Sequence, residues 1–358
     1  MLKSIRFFLC RKMISSSGYR VIKDRGKTQN VQFKNMARSV IVVGNGLGRA
    51  LDNQFFMLSS GLSYVWNSGF SFERRHKDLM ISTIDGVDAK QYPELEDQLD
   101  KLQVAIMASD FLRSFETEGV DWLNSTSREI PEVFKRFVHE VALYFHTSGL
   151  GLPDDFVDPL VDFIRKTSSH VAVLNYDNLL YDAFVSKRLL NGYHDTLFDG
   201  FHNTGFRRTN LDRFRPNKQA WYLHLHGSPL FVGNMKRTRD ERHNLEPSQN
   251  SHIVLTNIEH KPIVIESSDI LREYWTRLGR ALSEADRAIL VGYSGLDSHL
   301  NEIIASRFKE KQVIIVERKD EGPEDEQERF WKRQFPEADV SLIRRDNILD
   351  FHEWEDFI

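Results

Sequence analysis

Five short segments combine residue types that can do chemistry, and each stands where an apolar run gives way to a turn. The first is Gly44-Asn45-Gly46-Leu47-Gly48, directly after Ser39–Val43. Glycines there permit a tight turn and a close approach of backbone to a pyrophosphate. The spacing is G-x-G-x-G rather than the full dinucleotide signature, so alone it also fits a strand-to-helix turn that holds no ligand. The second is Asn175-Tyr176-Asp177. An Asn amide can bond ribose hydroxyls or position a water, while Asn or Asp just before a helix is equally a normal N-cap. The third is His224-Leu225-His226-Gly227-Ser228. A His at a strand end can act as a general base near neutral pH, although a hydrogen-bonded structural role is the commoner outcome. His224 and His226 share one face, but two imidazoles without a third ligand make a poor zinc site. The fourth is Gly292-Tyr293-Ser294-Gly295-Leu296-Asp297, a turn that could cradle a phosphate or ribose, with Asp297 placed to cap the next helix. The fifth is Glu317 after Gln312–Val316, either an acceptor for a ribose diol or an exposed loop acid.

These segments need elements that bring them to one place. Ser39–Val43 reads as a buried strand. A helical region follows over about 54–168. Within it Leu95, Leu99, Leu102, Ile106 and Phe111 recur at helical spacing. Pro131 suits the first turn of a second helix that carries Phe134, Phe137, Val138, Val141 and Phe145, and a third runs over 154–166. Strands are expected at 170–174 and 221–225, with a helix over 177–190 between them and a polar loop at 233–251. From Pro262 a strand (PIVIE) precedes alternating helices and strands: helix 268–284, strand RAILVG, helix 297–309, strand QVIIV, helix 323–334, strand VSLIR. Short apolar strands alternating with helices predict an α/β fold, doubly wound around a mostly parallel Rossmann-like sheet with a helical insertion. Four of these turns, carrying Gly, Asn, His and Ser, then fall at the carboxyl edge of one sheet, where open α/β folds bind dinucleotides.

The bulk properties narrow the alternatives. With 358 residues, the chain exceeds what a single simple core usually supports. Residues 1–35 are basic and Ser-containing, and the expectation is a disordered tail or an upstream extension of a start at Met36, rather than a targeting peptide. Residues 36–358 then form the nucleotide-binding domain. The net charge of −4 gives no global pull toward nucleic acid or anionic membrane. The basic residues Arg207, Arg208, Arg213, Arg215, Lys236, Arg237 and Arg239 are interleaved with Asp212, Asp240 and Glu241, which favours a solvated loop over a nucleic-acid surface. The one cysteine, Cys10, excludes an internal disulfide and a cysteine zinc site. No apolar run approaches a membrane span, so a cytoplasmic protein is expected.

The order of the motifs resembles the sirtuin family, specifically the zinc-less sirtuin-like domains of bacterial defence proteins. Gly44-Asn45-Gly46 is similar to the family's glycine loop, Asn175-Tyr176-Asp177 to its Asn-x-Asp, and His226-Gly227 to its His-Gly pair. Gly292-Tyr293-Ser294 matches its Gly-x-Ser loop, and Val316-Glu317 the strand end beside the adenosine ribose. The resemblance covers about 39–50 and 170–318. It implies NAD as substrate, a pyrophosphate held by the glycine loop (Gly44, Asn45, Gly46, Gly48), and cofactor contacts from Gly227, Gly292, Ser294 and Glu317. It implies that Asn175 meets the ribose or an attacking water, that Asp177 meets the nicotinamide amide, and that His226 is the base. Two departures matter: no four-cysteine zinc ribbon follows His226-Gly227, and Gly48-Arg49-Ala50-Leu51-Asp52 replaces the deacylases' Gly-Ile-Pro-Asp-Phe-Arg. Both point away from peptide deacylation and toward an NAD glycohydrolase in antiviral defence. The competing expectations are an NAD-dependent deacylase or ADP-ribosyltransferase, and a non-catalytic NAD or ADP-ribose sensor. The resemblance also suggests a homo-oligomer or a sensor/ATPase partner protein.

Overall fold

A computed structural model describes residues 19–24, 27–32, 37–68, 72–84, 92–95, 97–115, 123–190, 196–202, 205–237, 251–255 and 261–358. The chain divides into two compact units, Met1–Met36 and Ala37–Ile358. In the first, Tyr19–Asp24 pairs antiparallel with Lys27–Gln32, a hairpin within the stretch where the sequence suggested an unstructured tail. Val21, Ile22, Thr28 and Val31 are strand formers, in runs too short to signal a strand.

The second unit is built on a parallel sheet. Its strands in chain order are β1 (Ser39–Val43), β2 (His170–Val173), β3 (Leu197–Phe198), β4 (Ala220–His224), β5 (Arg287–Val291), β6 (Gln312–Arg318) and β7 (Asp339–Arg345). They lie side by side in the order β7-β6-β5-β1-β2-β4-β3, every pair parallel. Val, Ile and Leu fill the central strands, and β1, β2 and β4 are buried at every position. That is the mark of a sheet covered on both faces. From β1 the chain builds outward through β2 to β4, then returns to the other side of β1 at β5. The strand order therefore reverses between β1 and β5, the kind of switch point where α/β folds open a crevice.

Helix α1 (Gly46–Leu51) follows β1. The insertion expected over 54–168 contains α2 (Leu58–Ser68), α3 (Arg74–Ser82), α4 (Asp100–Arg113), α5 (Ser125–Tyr144) and α6 (Asp154–Thr167). The first four share a core of their own around Trp66, Phe72, Phe134 and Phe137, whereas α6 packs Phe156, Leu160 and Ile164 into the core of the sheet. In α4, Leu102 and Ile106 are buried as the spacing predicts, but Leu95 ahead of the helix and Phe111 within it are exposed. Pro131 does not open its helix. Helix α5 starts six residues earlier, where the Asn124 side chain accepts from the Ser127 N–H. Pro131 has no N–H for the Ser127 carbonyl four residues back, and the Ser109 hydroxyl donates to that carbonyl instead, at 2.7 Å.

After β2 come α7 (Leu179–Ser186), α8 (Lys261–Ser267), α9 (Asp269–Glu284), α10 (Ser298–Arg307) and α11 (Glu324–Gln334). PIVIE, expected as a strand, is the body of α8. Its β-branched run misleads, but Pro262 fits a helix's first turn, and Ile265 is buried while Ile263 is 48% exposed, the one-sided pattern of a helix. Both edges of β4 are moreover already occupied, by β2 and β3. Within the predicted polar loop, Met235–Lys236 and Ser251–Ile253 pair with the strand Gly227–Val232; residues 238–250 lie outside the described residues. No described helix is long and apolar enough to cross a membrane.

Candidate functional site

The register of the sheet aligns four of the five segments. Val291 pairs with Val43, Val43 with Val173, and Val173 with His224. The turns after β5, β1, β2 and β4 therefore leave the sheet at one level, across three strand spacings of about 14 Å in all.

At the β1/β5 switch point the two glycine turns are bonded to each other. The Gly44 N–H donates to Val291 O and the Gly46 N–H to Gly292 O, both at 2.9 Å. A Cβ on Gly44 would lie 2.5 Å from the Gly292 carbonyl oxygen, and one on Gly46 would lie 2.7 Å from Gly292 Cα. Gly292 itself has φ +57, a conformation that favours glycine. These glycines are thus required by the approach of one turn to another. Gly48 packs against the Phe56 ring, and the Asn45 amide donates to Phe56 O at 2.9 Å.

At the β2 end, Asn175 and Asp177 are both buried. Asp177 Oδ1 accepts from the Leu179 N–H at 3.0 Å, so Asp177, not Asn175, supports the start of α7. Asp177 Oδ2 and both amide atoms of Asn175 lack a hydrogen-bond partner among the described residues. Burial pushes the Asp177 carboxyl up to about 6, against the Leu179 N–H and the neighbouring Asn175 amide, which favour its ionised form. That amide stands beside the carboxylate without the alignment of a hydrogen bond. A buried acid and a buried amide with open bonding positions suit a ligand carrying both donors and acceptors, since such atoms are otherwise costly.

At the β4 end, Gly227 turns the chain with φ +83, and a Cβ there would collide with His252 O. His226 Nε2 lies 3.1 Å from Asp297 Oδ2. Lys261 Nζ, from the start of α8, reaches the same oxygen at 3.2 Å. Asp297 Oδ1 accepts from Leu300 N–H, so Asp297 is also the N-cap of α10. Its own N–H donates to the Tyr293 hydroxyl. Burial alone would raise the Asp297 carboxyl; the hydrogen bond from His226 and the charge of Lys261 outweigh it and hold it well below the usual carboxylate range.

The remaining candidates divide. Ser294 is exposed on the β5 turn. Glu317 is buried and committed inward: it accepts from Trp331 Nε1 at 3.0 Å and lies 3.2 Å from Arg344 Nε. Burial raises its carboxyl despite both contacts, and the exposed-acid alternative does not hold. His224 packs among Tyr181, Tyr222 and Phe231, with its imidazole pushed down to about 3 by burial. Among the described residues no group of three His, Cys, Asp or Glu side chains is arranged for a metal ion.

Residues 169–337 match the family model described as SIR2-like domain. No curated protein matches the chain. The matched residues begin just before β2 and contain Asn175, Asp177, His226, Gly227, Gly292, Ser294 and Glu317; the glycine loop Gly44–Gly48 precedes them. SIR2-like domains use NAD, and open α/β sheets bind dinucleotides at their carboxyl edge.

Lys261 carried no signal in the sequence, and Asp297 was legible only as a cap. A cavity among the described residues lies elsewhere. It measures about 540 Å³ and is walled by Phe55, Tyr64, Tyr92 and Tyr144, with Asp52 and three serines of α2. It contains none of the strand-end residues. The open bonding positions of Asn175 and Asp177 are on the strand ends and not in this cavity. Two of the basic side chains of the 207–239 stretch are occupied. Arg213 lies over the Trp221 ring at 3.9 Å and pairs with Glu284, and Lys236 pairs with the buried Asp199.

Proposed function

We propose that this SIR2-like domain hydrolyses the nicotinamide–ribose bond of NAD, giving ADP-ribose, nicotinamide and a proton. The observation that supports this most is the row of open bonding positions on Asn175 and Asp177 beside His226, at adjoining strand ends. Asp177 and Asn175 would receive the carboxamide and the ribose hydroxyls. The C–N bond breaks with its electron pair passing to the pyridine nitrogen, through an oxocarbenium-like state as in glycoside hydrolysis. A water adds to the ribose carbon, and His226 takes its proton. The pyrophosphate would lie over the outer surface of the packed Gly44–Gly48 and Gly292–Ser294 turns. Cys10 is the only cysteine, so the ribbon that frames an acceptor peptide in deacylases has no counterpart; water is therefore favoured as acceptor and no zinc is required. Antiviral defence, with a homo-oligomer or a sensor/ATPase partner controlling the activity, is the biological setting we propose. Purified protein is to be incubated with NAD, with and without an acetylated peptide. Equal release of nicotinamide and ADP-ribose in both is expected. Release only with peptide would assign transfer, and binding without release would assign a sensor.

A further inference from the structure

The strand-end His is tied into a buried charge relay that the sequence did not predict. His226, Asp297 and Lys261 are 7%, 5% and 6% exposed. We propose that Asp297 and Lys261 are positioning residues that hold His226 as a neutral imidazole protonated on Nε2, so that Nδ1 is the atom that takes the proton. This rests on the hydrolase reading above for its chemistry, though not for its geometry.

The orientation follows from hydrogen-bond valence. An ionised carboxylate only accepts. Asp297 Oδ1 is fixed by the Leu300 N–H at the start of α10, and Oδ2 faces both His226 Nε2 and Lys261 Nζ. Nε2 must therefore donate, and a neutral ring then keeps its lone pair on Nδ1. Nδ1 has no hydrogen-bond partner among the described residues. The carboxylate cannot swing away cheaply, because the Asp297 backbone is held by the Tyr293 hydroxyl, which also bonds Asn301. Lys261 supplies the second half of the device. A lone buried Asp297 would favour imidazolium, which cannot accept a proton. Lys261 Nζ on the same oxygen shares the carboxylate's charge and weakens its pull toward imidazolium. Among the described residues, the charged and titratable groups that meet the ring or its partner carboxylate are Asp297 from the β5 turn, Lys261 from α8 and Tyr176 from the β2 turn, with Tyr293 behind Asp297.

The test is the ¹⁵N imidazole spectrum of the full chain at neutral pH without NAD, with the His226 signals assigned against His226→Gln. The wild type should show a protonated Nε2 and an unprotonated Nδ1. Asp297→Asn, which keeps a good N-cap, should give a mixture of tautomers. Lys261→Met should raise the imidazolium fraction at the same pH, and Lys261→Arg should restore the wild-type spectrum. In nicotinamide release from NAD, Asp297→Asn and Lys261→Met should lower kcat by at least about 10-fold with a smaller change in KM, and Lys261→Arg should recover it. A wild-type proton on Nδ1, or a spectrum unmoved by both substitutions, would overturn the proposal. The spectrum needs no turnover, so a protein with the expected tautomer that leaves NAD intact would refute the hydrolase reading and not this one.

Discussion

Replacing Asp177 by Asn will flatten the pH dependence of stability, by an amount that follows from the burial of this carboxyl. Its ordinary value is 3.8 and the fold lifts it to about 6. The folded protein thus holds this proton more tightly than the unfolded chain does. Stability contributed by the protonated group is complete below 3.8 and is lost as pH rises through the window up to about 6. At about 1.4 kcal/mol per unit, ionised Asp177 costs the folded state about 3 kcal/mol at pH 7 and about 0.5 kcal/mol at pH 4. Asn never ionises, and its Oδ1 can still accept from Leu179. Any fixed cost of the amide N–H₂ that replaces Oδ2 is the same at both pH values. The stability of Asp177→Asn relative to wild type should therefore grow by roughly 2–2.5 kcal/mol between pH 4 and pH 7. Urea unfolding of both proteins at several pH values reads this directly. Parallel stability curves would refute it and would mean that Asp177 titrates as an ordinary exposed acid. The same variant should lose nicotinamide release, since a residue kept at a cost to the fold is typical of a functional position.

Asn175→Ala removes an amide with no described partner and no capping role, so the melting temperature should hold or rise. NAD affinity should fall no more than about 10-fold while turnover is lost. A stability loss of about 1 kcal/mol with activity tracking the folded fraction would show a structural residue instead. Gly44→Ala should destabilise by at least about 2 kcal/mol in chemical denaturation, because its Cβ meets backbone of the β5 turn, whereas Gly151→Ala, with open space around it, should be neutral within about 0.5 kcal/mol. Equal effects would contradict the turn-on-turn packing. Treatment with EDTA should leave NAD turnover unchanged, and loss restored by zinc would contradict a metal-free reaction.

Much of the sheet was legible because its strands are buried on both faces and read as unbroken Val/Ile/Leu runs, as in Ser39–Val43 and Gln312–Val316. The exceptions have local causes. Leu197–Phe198 is a two-residue edge strand, too short to signal. PIVIE carries strand-forming residues in a helix that tertiary packing selects. Pro131 suggests a helix start because nothing local reveals that Ser109, 18 residues from Ser127, satisfies the carbonyl it frees. The site divides in the same way. Asn175, Asp177 and His226 are visible because strand-end turns are short-range features. Lys261 is invisible because its meaning depends on Asp297, 36 residues on, and Asp297 in turn on His226, 71 residues back. The glycines after β1 and β5 suggest ligand contacts in the sequence, and the structure gives them a packing duty toward each other.

The most direct test of the central claim is nicotinamide release from NAD by wild type and His226→Ala, each normalised to folded protein by its thermal melt. The account predicts steady release of nicotinamide with equimolar ADP-ribose from the wild type, and a rate at least about 100-fold lower in the variant with a similar melting temperature. Equal rates in the two proteins, or no release by a folded wild type, would contradict it.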